Sequence, residues 1–261
     1  MMVPAASPAA PPSPGPTSTW ERHGTRLGRT RLAAALLMLA FAAALATEDN
    51  LTRMLAALAA ADVAIMSLPW RVPRASRSVR SILLENAAYQ VMPLGALAAV
   101  LVSWPSWLSR AGAWWWYPVA LLAGAALVAI GGTDLRMLLS GELAFLAGPR
   151  AKAHARAHVA GALAGPPGEE AVFRGVVFMT FGAAAVVTPV LAAVAFVARH
   201  HLPPGSAPRP RLLFTESAAA VLLLALTVAS RSIYPAVVAH LVNNTPQALL
   251  EGQRGRMGGE G

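Results

Sequence analysis

The chain reads GEEAVFRG from Gly168 to Gly175, and an apolar run continues from there to Ala198. Ionised side chains at membrane depth cost free energy, so charges beside such a run indicate a functional site in which each charge has a partner. On a helix, Glu170 and Arg174 lie four residues apart on one face, with the acid first, which is the favourable order. The GPPG sequence at 165–168 predicts that this helix starts just after it.

The two adjacent glutamates are expected to have different roles. Glu169 points about 100° around the helix from Glu170, so it meets other surroundings. A carboxylate that an arginine holds is a poor base, whereas one without that partner is a better one. The pattern therefore favours Glu169 as the chemical residue, with Glu170 and Arg174 as a structural brace.

Composition indicates the class of protein. Of the 261 residues, 56% are hydrophobic and 13% are charged, against roughly 25% charged in soluble domains. We therefore predict an all-α polytopic membrane helix bundle. The chain has no cysteine, which excludes disulfides, thiolate chemistry and Cys-ligated zinc. Its net charge of +9 is spread between apolar runs, which is typical of a topology signal and does not indicate a nucleic-acid partner.

Four segments are predicted along the chain. Residues 1–29 form a disordered Pro/Ala-rich cytoplasmic tail, 30–165 hold the N-terminal transmembrane helices, 166–250 hold the charged final helices, and 251–261 form a disordered C-terminal tail. The apolar runs of the second segment are 32–47, 51–68, 82–103 and 111–133. Residues 135–146 are too short to cross a bilayer and are predicted to be interfacial.

The uncharged stretch 175–198 decides the topology, because it is either one span or two short helices that reverse near 182–189. The reversal gives about eight transmembrane helices with both termini in the cytoplasm. It also leaves most Arg and Lys residues on the cytoplasmic side, as the positive-inside rule prefers.

The reversal is also required for a shared site. Along one straight helix, Glu169 and His200 would lie about 45 Å apart. If the chain folds back, His200 returns to the depth of Glu169, and the last span brings His240 and Asn244 into the cytoplasmic half. The sequence thus predicts a polar intramembrane cavity that faces the cytoplasm.

Three short patterns carry a family resemblance. They are Glu169-Glu170-x-x-x-Arg174, Phe196-x-x-x-His200 and His240-x-x-x-Asn244. In this order they resemble the motifs of the CPBP intramembrane endopeptidases, which include the type II CAAX prenyl endopeptidases. The resemblance covers about 166–247. Departures from the pattern are a second histidine (His201), a second asparagine (Asn243), and Glu216 and Ser217 where small residues are common in the family.

The resemblance implies a role for each motif residue. Glu169 and His200 would activate a water molecule, His240 and Asn244 would stabilise the oxyanion, and Phe196 would belong to the brace. These residue types suit peptide hydrolysis, which needs a base for water and donors for the oxyanion. No cofactor is required by this account. The alternative is zinc held by Glu169, His200 and His240, although the chain has no His-Glu-x-x-His pattern.

The predicted function is an intramembrane endopeptidase of the CAAX-processing type in the cell membrane. Its partners would be the lipid bilayer and a membrane-associated peptide or protein substrate, with lipidated proteins as candidates. The alternative is a non-catalytic membrane protein, such as a self-immunity or scaffolding factor or a proton-coupled transporter. Outside the motifs, we expect His154 and His158 to be solvated and Asp62 to face the interior of the bundle.

Overall fold

A computed structural model describes residues 37–38, 49–67, 79–178, 184–201 and 210–258. Most of these residues are helical, and no strand occurs among them, so the all-α class is confirmed. The helices are α1 (Asn50–Ser67), α2 (Val79–Ser103), α3 (Trp116–Gly131), α4 (Leu135–Ser140), α5 (Glu142–Ala147), α6 (Lys152–Phe173), a 3-10 helix (Gly175–Phe178), α7 (Ala184–His201), α8 (Pro210–Ser230) and α9 (Tyr234–Met257).

Helix α6 is the central element of the fold. It packs most extensively against α9 and α2, while α9 also packs against α3. Small residues allow these close approaches, as is usual between membrane helices. A Cβ atom at Gly168 would lie 2.7 Å from the carbonyl group of Pro93 on α2, and one at Gly124 on α3 would lie 2.6 Å from the carbonyl oxygen of Ala239 on α9.

One described helix, α8, is long and apolar enough to cross a membrane by itself. The apolar stretches Tyr89–Ser103, Trp116–Gly131 and Val187–His200 are shorter. The predicted tail 1–29 lies outside the described residues, as does the run 32–47 except for residues 37–38. The number of about eight spans therefore stays a prediction, whereas the predicted shortness of 135–146 agrees with α4 and α5, which have six residues each.

The predicted helix start after the GPPG sequence is wrong. Helix α6 runs through Pro166 and Pro167 and ends at Phe173, so Glu169 and Glu170 lie in its last turns. The predicted boundary between 165 and 166 therefore falls inside one helix. A proline inside a helix removes a backbone donor, and the carbonyl oxygen of Ala162, four residues before Pro166, accepts from the Asn244 side chain instead.

The chain leaves the helix earlier than predicted. The helical bonding ends at Arg174, a 3-10 helix follows, and residues 184–189, which fall within the predicted reversal, are already helical. Residues 179–183 lie outside the described ranges. Helix α7 contacts α6, the 3-10 helix and α1, so the chain does fold back onto α6.

The segment 251–261 does not begin as a disordered tail. Helix α9 continues to Met257, because Glu251 is buried and forms salt bridges with Arg150 at 3.0 Å and Arg254 at 3.1 Å. Arg254 also donates to the carbonyl oxygens of Ala147 and Gly148. These contacts hold the end of α9 against the segment between α5 and α6.

Candidate active site

A cavity of about 440 Å³ lies between α1, α2, α6, α7, α8 and α9. All four residues that the motifs predicted as catalytic border it: Glu169, His200, His240 and Asn244. They come from α6, α7 and α9, so only the folded chain brings them together. Glu169 and His240 are buried, and His200 and Asn244 are partly buried.

Glu169 has an arginine partner that the sequence did not predict. The guanidinium Nη1 of Arg199 forms a salt bridge with Glu169 Oε1, and Arg199 Nε lies 2.6 Å from Asp62 Oδ2. Arg199 is only 3% exposed, although it lies beside His200 at the end of an apolar run. The expectation that Glu169 lacks a cationic partner is therefore wrong, and Asp62 faces the interior as expected.

Glu170 is held by two side chains. Its Oε2 lies 3.2 Å from Arg174 Nε, in the predicted pair four residues apart, and its Oε1 lies 2.8 Å from His240 Nδ1. Glu170 is fully buried and Arg174 is 2% exposed. Glu170 thus links the end of α6 to α9 through His240, and it braces the end of α6 through Arg174.

Phe196 lies at the centre of these groups and is 2% exposed. The guanidinium carbon of Arg174 lies 4.3 Å from the ring centroid, a cation–π distance. The rings of Phe173 and His240 each lie edge-on at 5.8 Å, and the ring of His200 lies at 4.7 Å. Its packing restricts the orientation of both histidines and of the arginine.

The hydrogen bonds of the two histidines indicate their tautomers. Nδ1 of His200 donates to the carbonyl oxygen of Phe196 at 2.8 Å, and Nδ1 of His240 donates to the Glu170 carboxylate at 2.8 Å. In the neutral form, each ring then has no hydrogen on Nε2. Each Nε2 lies 3.8 Å from Glu169 Oε2, a buried oxygen that accepts no hydrogen bond from the part of the chain that the structure describes.

Both asparagines of α9 border the cavity. Nδ2 of Asn244 donates to the carbonyl oxygen of Ala162 at 3.2 Å, and Nδ2 of Asn243 lies 3.4 Å from Asn244 Oδ1. The Asn244 amide has two hydrogens, so one remains for a further acceptor. His200 borders the cavity, whereas the side chain of His201 lies outside the description.

Other polar residues at the cavity were not identified from the sequence. His158 is partly buried and borders the cavity, so its predicted solvated position is wrong. The reason is that residues 152–165 belong to α6 and not to a loop. Glu216 and Thr215 of α8 and Gln90 of α2 also border the cavity. In the sequence, Glu216 differs from the small residues that are common at this position in the family.

The alternative zinc site would use three side-chain donor atoms. Glu169 Oε2, His200 Nε2 and His240 Nε2 are suitable ligand types. However, the described residues contain no group of three or more His, Asp or Glu side chains arranged to hold a metal ion. The three side chains fit zinc in kind, so zinc binding stays an alternative.

Residues 154–246 match a family model described as type II CAAX prenyl endopeptidase Rce1-like. No curated protein and no solved structure matches the chain. The matched segment begins in α6, ends in α9 and includes all three motifs. Members of this family are integral membrane proteases that act on membrane-associated prenylated proteins. Residues 154–246 are therefore similar to the type II CAAX prenyl endopeptidase Rce1-like family, and the resemblance inferred from the motifs is confirmed.

Proposed function

We propose that this protein is an intramembrane endopeptidase that hydrolyses a peptide bond of a membrane-associated protein near the cytoplasmic face, in CAAX-type processing. One observation carries the proposal. Glu169 Oε2 is a buried carboxylate oxygen with the Nε2 atoms of His200 and His240 each 3.8 Å away, at a cavity that can admit part of a peptide.

In the proposed reaction, Glu169 accepts a proton from a water molecule as that water attacks the scissile carbonyl carbon. The C–N bond then breaks as the tetrahedral intermediate collapses, and Glu169 returns the proton to the leaving amine. The salt bridge from Arg199 holds Glu169 Oε1, which leaves Oε2 for the water. His200 Nε2 is an acceptor in the tautomer that the Phe196 carbonyl selects, so it suits the role of assisting base.

The proposed oxyanion donors are His240 and Asn244. His240 donates from Nδ1 to Glu170, so only its imidazolium form also carries a hydrogen on Nε2. In that form, His240 would add one positive charge to a buried cluster of three carboxylates (Asp62, Glu169 and Glu170) and two guanidiniums (Arg174 and Arg199). The second hydrogen of the Asn244 amide supplies the other donor.

The direct test uses purified protein in detergent and an internally quenched peptide with a farnesylated C-terminal CAAX sequence. Glu169→Gln should abolish cleavage while the protein stays folded, because the change is nearly isosteric and removes the base. Asn244→Ala should reduce turnover about 100- to 1000-fold, the usual effect of losing one oxyanion donor. Glu142→Gln, at an exposed position of α5, is the matched control.

Two outcomes would count against the assignment. Full activity in Glu169→Gln together with a folded but inactive Glu170→Gln would mean that the two carboxylates are reversed. If wild-type protein leaves the peptide intact, C-terminal profiling of host membrane proteins with and without Glu169→Ala tests other substrates. Unchanged C-termini would favour the non-catalytic alternative.

The zinc alternative has its own test. When bound, zinc would polarise the scissile carbonyl and activate water, with Glu169, His200 and His240 as ligands. If phenanthroline removes activity and stoichiometric zinc restores it, the metal-free account is wrong. Cleavage by protein that elemental analysis shows to be free of metal would exclude zinc.

A further inference from the structure

Two of the prolines inside the helices lie next to site contacts. In an α-helix, the N–H of each residue donates to the carbonyl oxygen four residues earlier, but proline has no N–H. Pro93 of α2 and Pro166 of α6 are both buried inside their helices. Pro93 therefore has no N–H to donate to the Tyr89 carbonyl, and Pro166 has none for the Ala162 carbonyl.

Each of these two carbonyls accepts a hydrogen bond from a side chain at the cavity. Arg199 Nη2 donates to the Tyr89 carbonyl oxygen at 2.7 Å, and Asn244 Nδ2 donates to the Ala162 carbonyl oxygen at 3.2 Å. Arg199 also forms the salt bridge with Glu169. The two donors come from α7 and α9, far from the prolines in sequence.

We propose that Pro93 and Pro166 are positioning residues of the active site. Each proline lacks the backbone N–H that would donate to the carbonyl oxygen four residues earlier. That carbonyl oxygen accepts a hydrogen bond from a polar side chain of the site and so anchors it. Pro93 thereby orients the guanidinium that holds Glu169 Oε1. Pro166 leaves the Ala162 carbonyl free to accept one hydrogen of the Asn244 amide, and the other hydrogen remains for the oxyanion. The effect on turnover rests on the proposed peptidase function, whereas the effect on anchoring does not.

Pro167 provides a matched control within the same helix. It lacks an N–H for the Leu163 carbonyl, but no side-chain donor to that carbonyl occurs in the described part of the chain. The Leu163 side chain is exposed. Pro167→Ala therefore changes the same helix in the same way without affecting an anchor.

The first experiment compares Pro166→Ala with Pro167→Ala. Alanine restores the N–H and is the best helix former, so both variants should melt no lower than wild type. Pro166→Ala should nevertheless lower kcat about 10- to 100-fold with little change in KM, because the restored donor competes for the Ala162 carbonyl and displaces Asn244. Pro167→Ala should keep wild-type kcat. Equal losses of kcat in the two variants, or a lower melting temperature in Pro166→Ala, would overturn the proposal.

A double-mutant cycle with Asn244→Ala tests the coupling itself. The double variant Pro166→Ala with Asn244→Ala should turn over no more slowly than Asn244→Ala alone, whereas independent effects would multiply. The same cycle measured by thermal unfolding needs no activity: Asn244→Ala should lower the melting temperature less in the Pro166→Ala background. An equal decrease in both backgrounds would overturn the anchoring. A wild-type protein that does not cleave any tested substrate would count against the peptidase function only.

Pro93→Ala extends the test to the second anchor. Alanine keeps the Cβ atom at the contact with Gly168, so the packing of α2 on α6 should be retained. We expect kcat to fall about 10-fold, because Arg199 loses part of its support and Glu169 is less well oriented. Wild-type kcat in Pro93→Ala would overturn this half of the proposal.

Discussion

The two adjacent glutamates differ in how their carboxylate oxygens are used, and not in whether an arginine holds them. Arg199 pairs with Glu169 and Arg174 pairs with Glu170. Both oxygens of Glu170 have protein partners, since His240 lies at the other one. Glu169 has one oxygen directed toward two imidazole rings. Pairing with arginine therefore does not distinguish the two glutamates as bases. The open oxygen does, and it favours Glu169 as the base and Glu170 as the group that orients His240.

Glu170→Gln should reduce turnover in addition to stability. The amide keeps the shape of the side chain but removes the negative charge that faces His240 Nδ1. We expect kcat to fall about 100-fold or more, as when the orienting carboxylate of a catalytic histidine is neutralised. The measurement is single-turnover cleavage, normalised to folded protein. A loss of folded protein with normal kcat would mean that Glu170 is only a brace.

Arg174→Ala should act mainly through stability. It leaves Glu170 buried without its guanidinium, which costs about 3 to 5 kcal/mol of unfolding free energy for a broken buried pair. The change also removes the contact between the guanidinium and the Phe196 ring. Reduced protein in the membrane and a lower melting temperature in detergent are the expected results. A stable and fully active variant would show that the pair is dispensable.

At the scale of the elements, Arg199 joins four helices. It lies on α7 and contacts Asp62 on α1, the Tyr89 carbonyl on α2 and Glu169 on α6. Asp62 is fully buried. A charged group in such a position is stable only while its partner is present. The salt bridges therefore fix α7 in the position that brings His200 to the cavity.

The coupling of Arg199 and Asp62 can be measured with a double-mutant cycle. Arg199→Ala should lower the unfolding free energy by about 3 to 5 kcal/mol, because two buried carboxylates lose their partner. Asp62→Asn in that background should restore part of the loss. Arg156→Ala, at an exposed position of α6, is the control and should have little effect. Strictly additive losses for Arg199 and Asp62 would contradict a direct pair.

At the scale of the whole molecule, apolar side chains cover much of the outer surface. Leu122 on α3 is 73% exposed, Val221 on α8 is 65% exposed and Phe214 on α8 is 64% exposed. The buried charges and the cavity lie inside this layer. Such an arrangement suits lipid outside the helices and a polar site between them. It agrees with the integral membrane family whose model residues 154–246 match.

The predicted orientation has a direct test. Reporter fusions after Leu146 and after Pro204 should both report the cytoplasm, because the folded-back topology leaves most Arg and Lys residues on that side, as the positive-inside rule prefers. The measurement uses reporter enzymes that are active on only one side of the membrane. A periplasmic signal at position 204 would contradict the predicted topology and the cytoplasm-facing cavity.

The sequence by itself determined the features that depend on local periodicity and composition. The apolar composition indicates a membrane protein. The motif residues, which lie four apart in each motif, indicate helices and the family resemblance. The same spacing predicts that Glu170 meets Arg174, which lies 3.2 Å away, because residues four apart share one face of a helix.

Only the tertiary structure decided which residues meet between helices. The contacts of Arg199 with Glu169 and Asp62, and of Glu170 with His240, depend on how α1, α6, α7 and α9 pack. The continuous helix through Pro166 and Pro167 could not be predicted from the sequence either, because local propensity disfavours proline within a helix. Distant contacts outweigh that preference: Asn244 of α9 bonds the Ala162 carbonyl beside the proline, and Pro93 of α2 packs against Gly168.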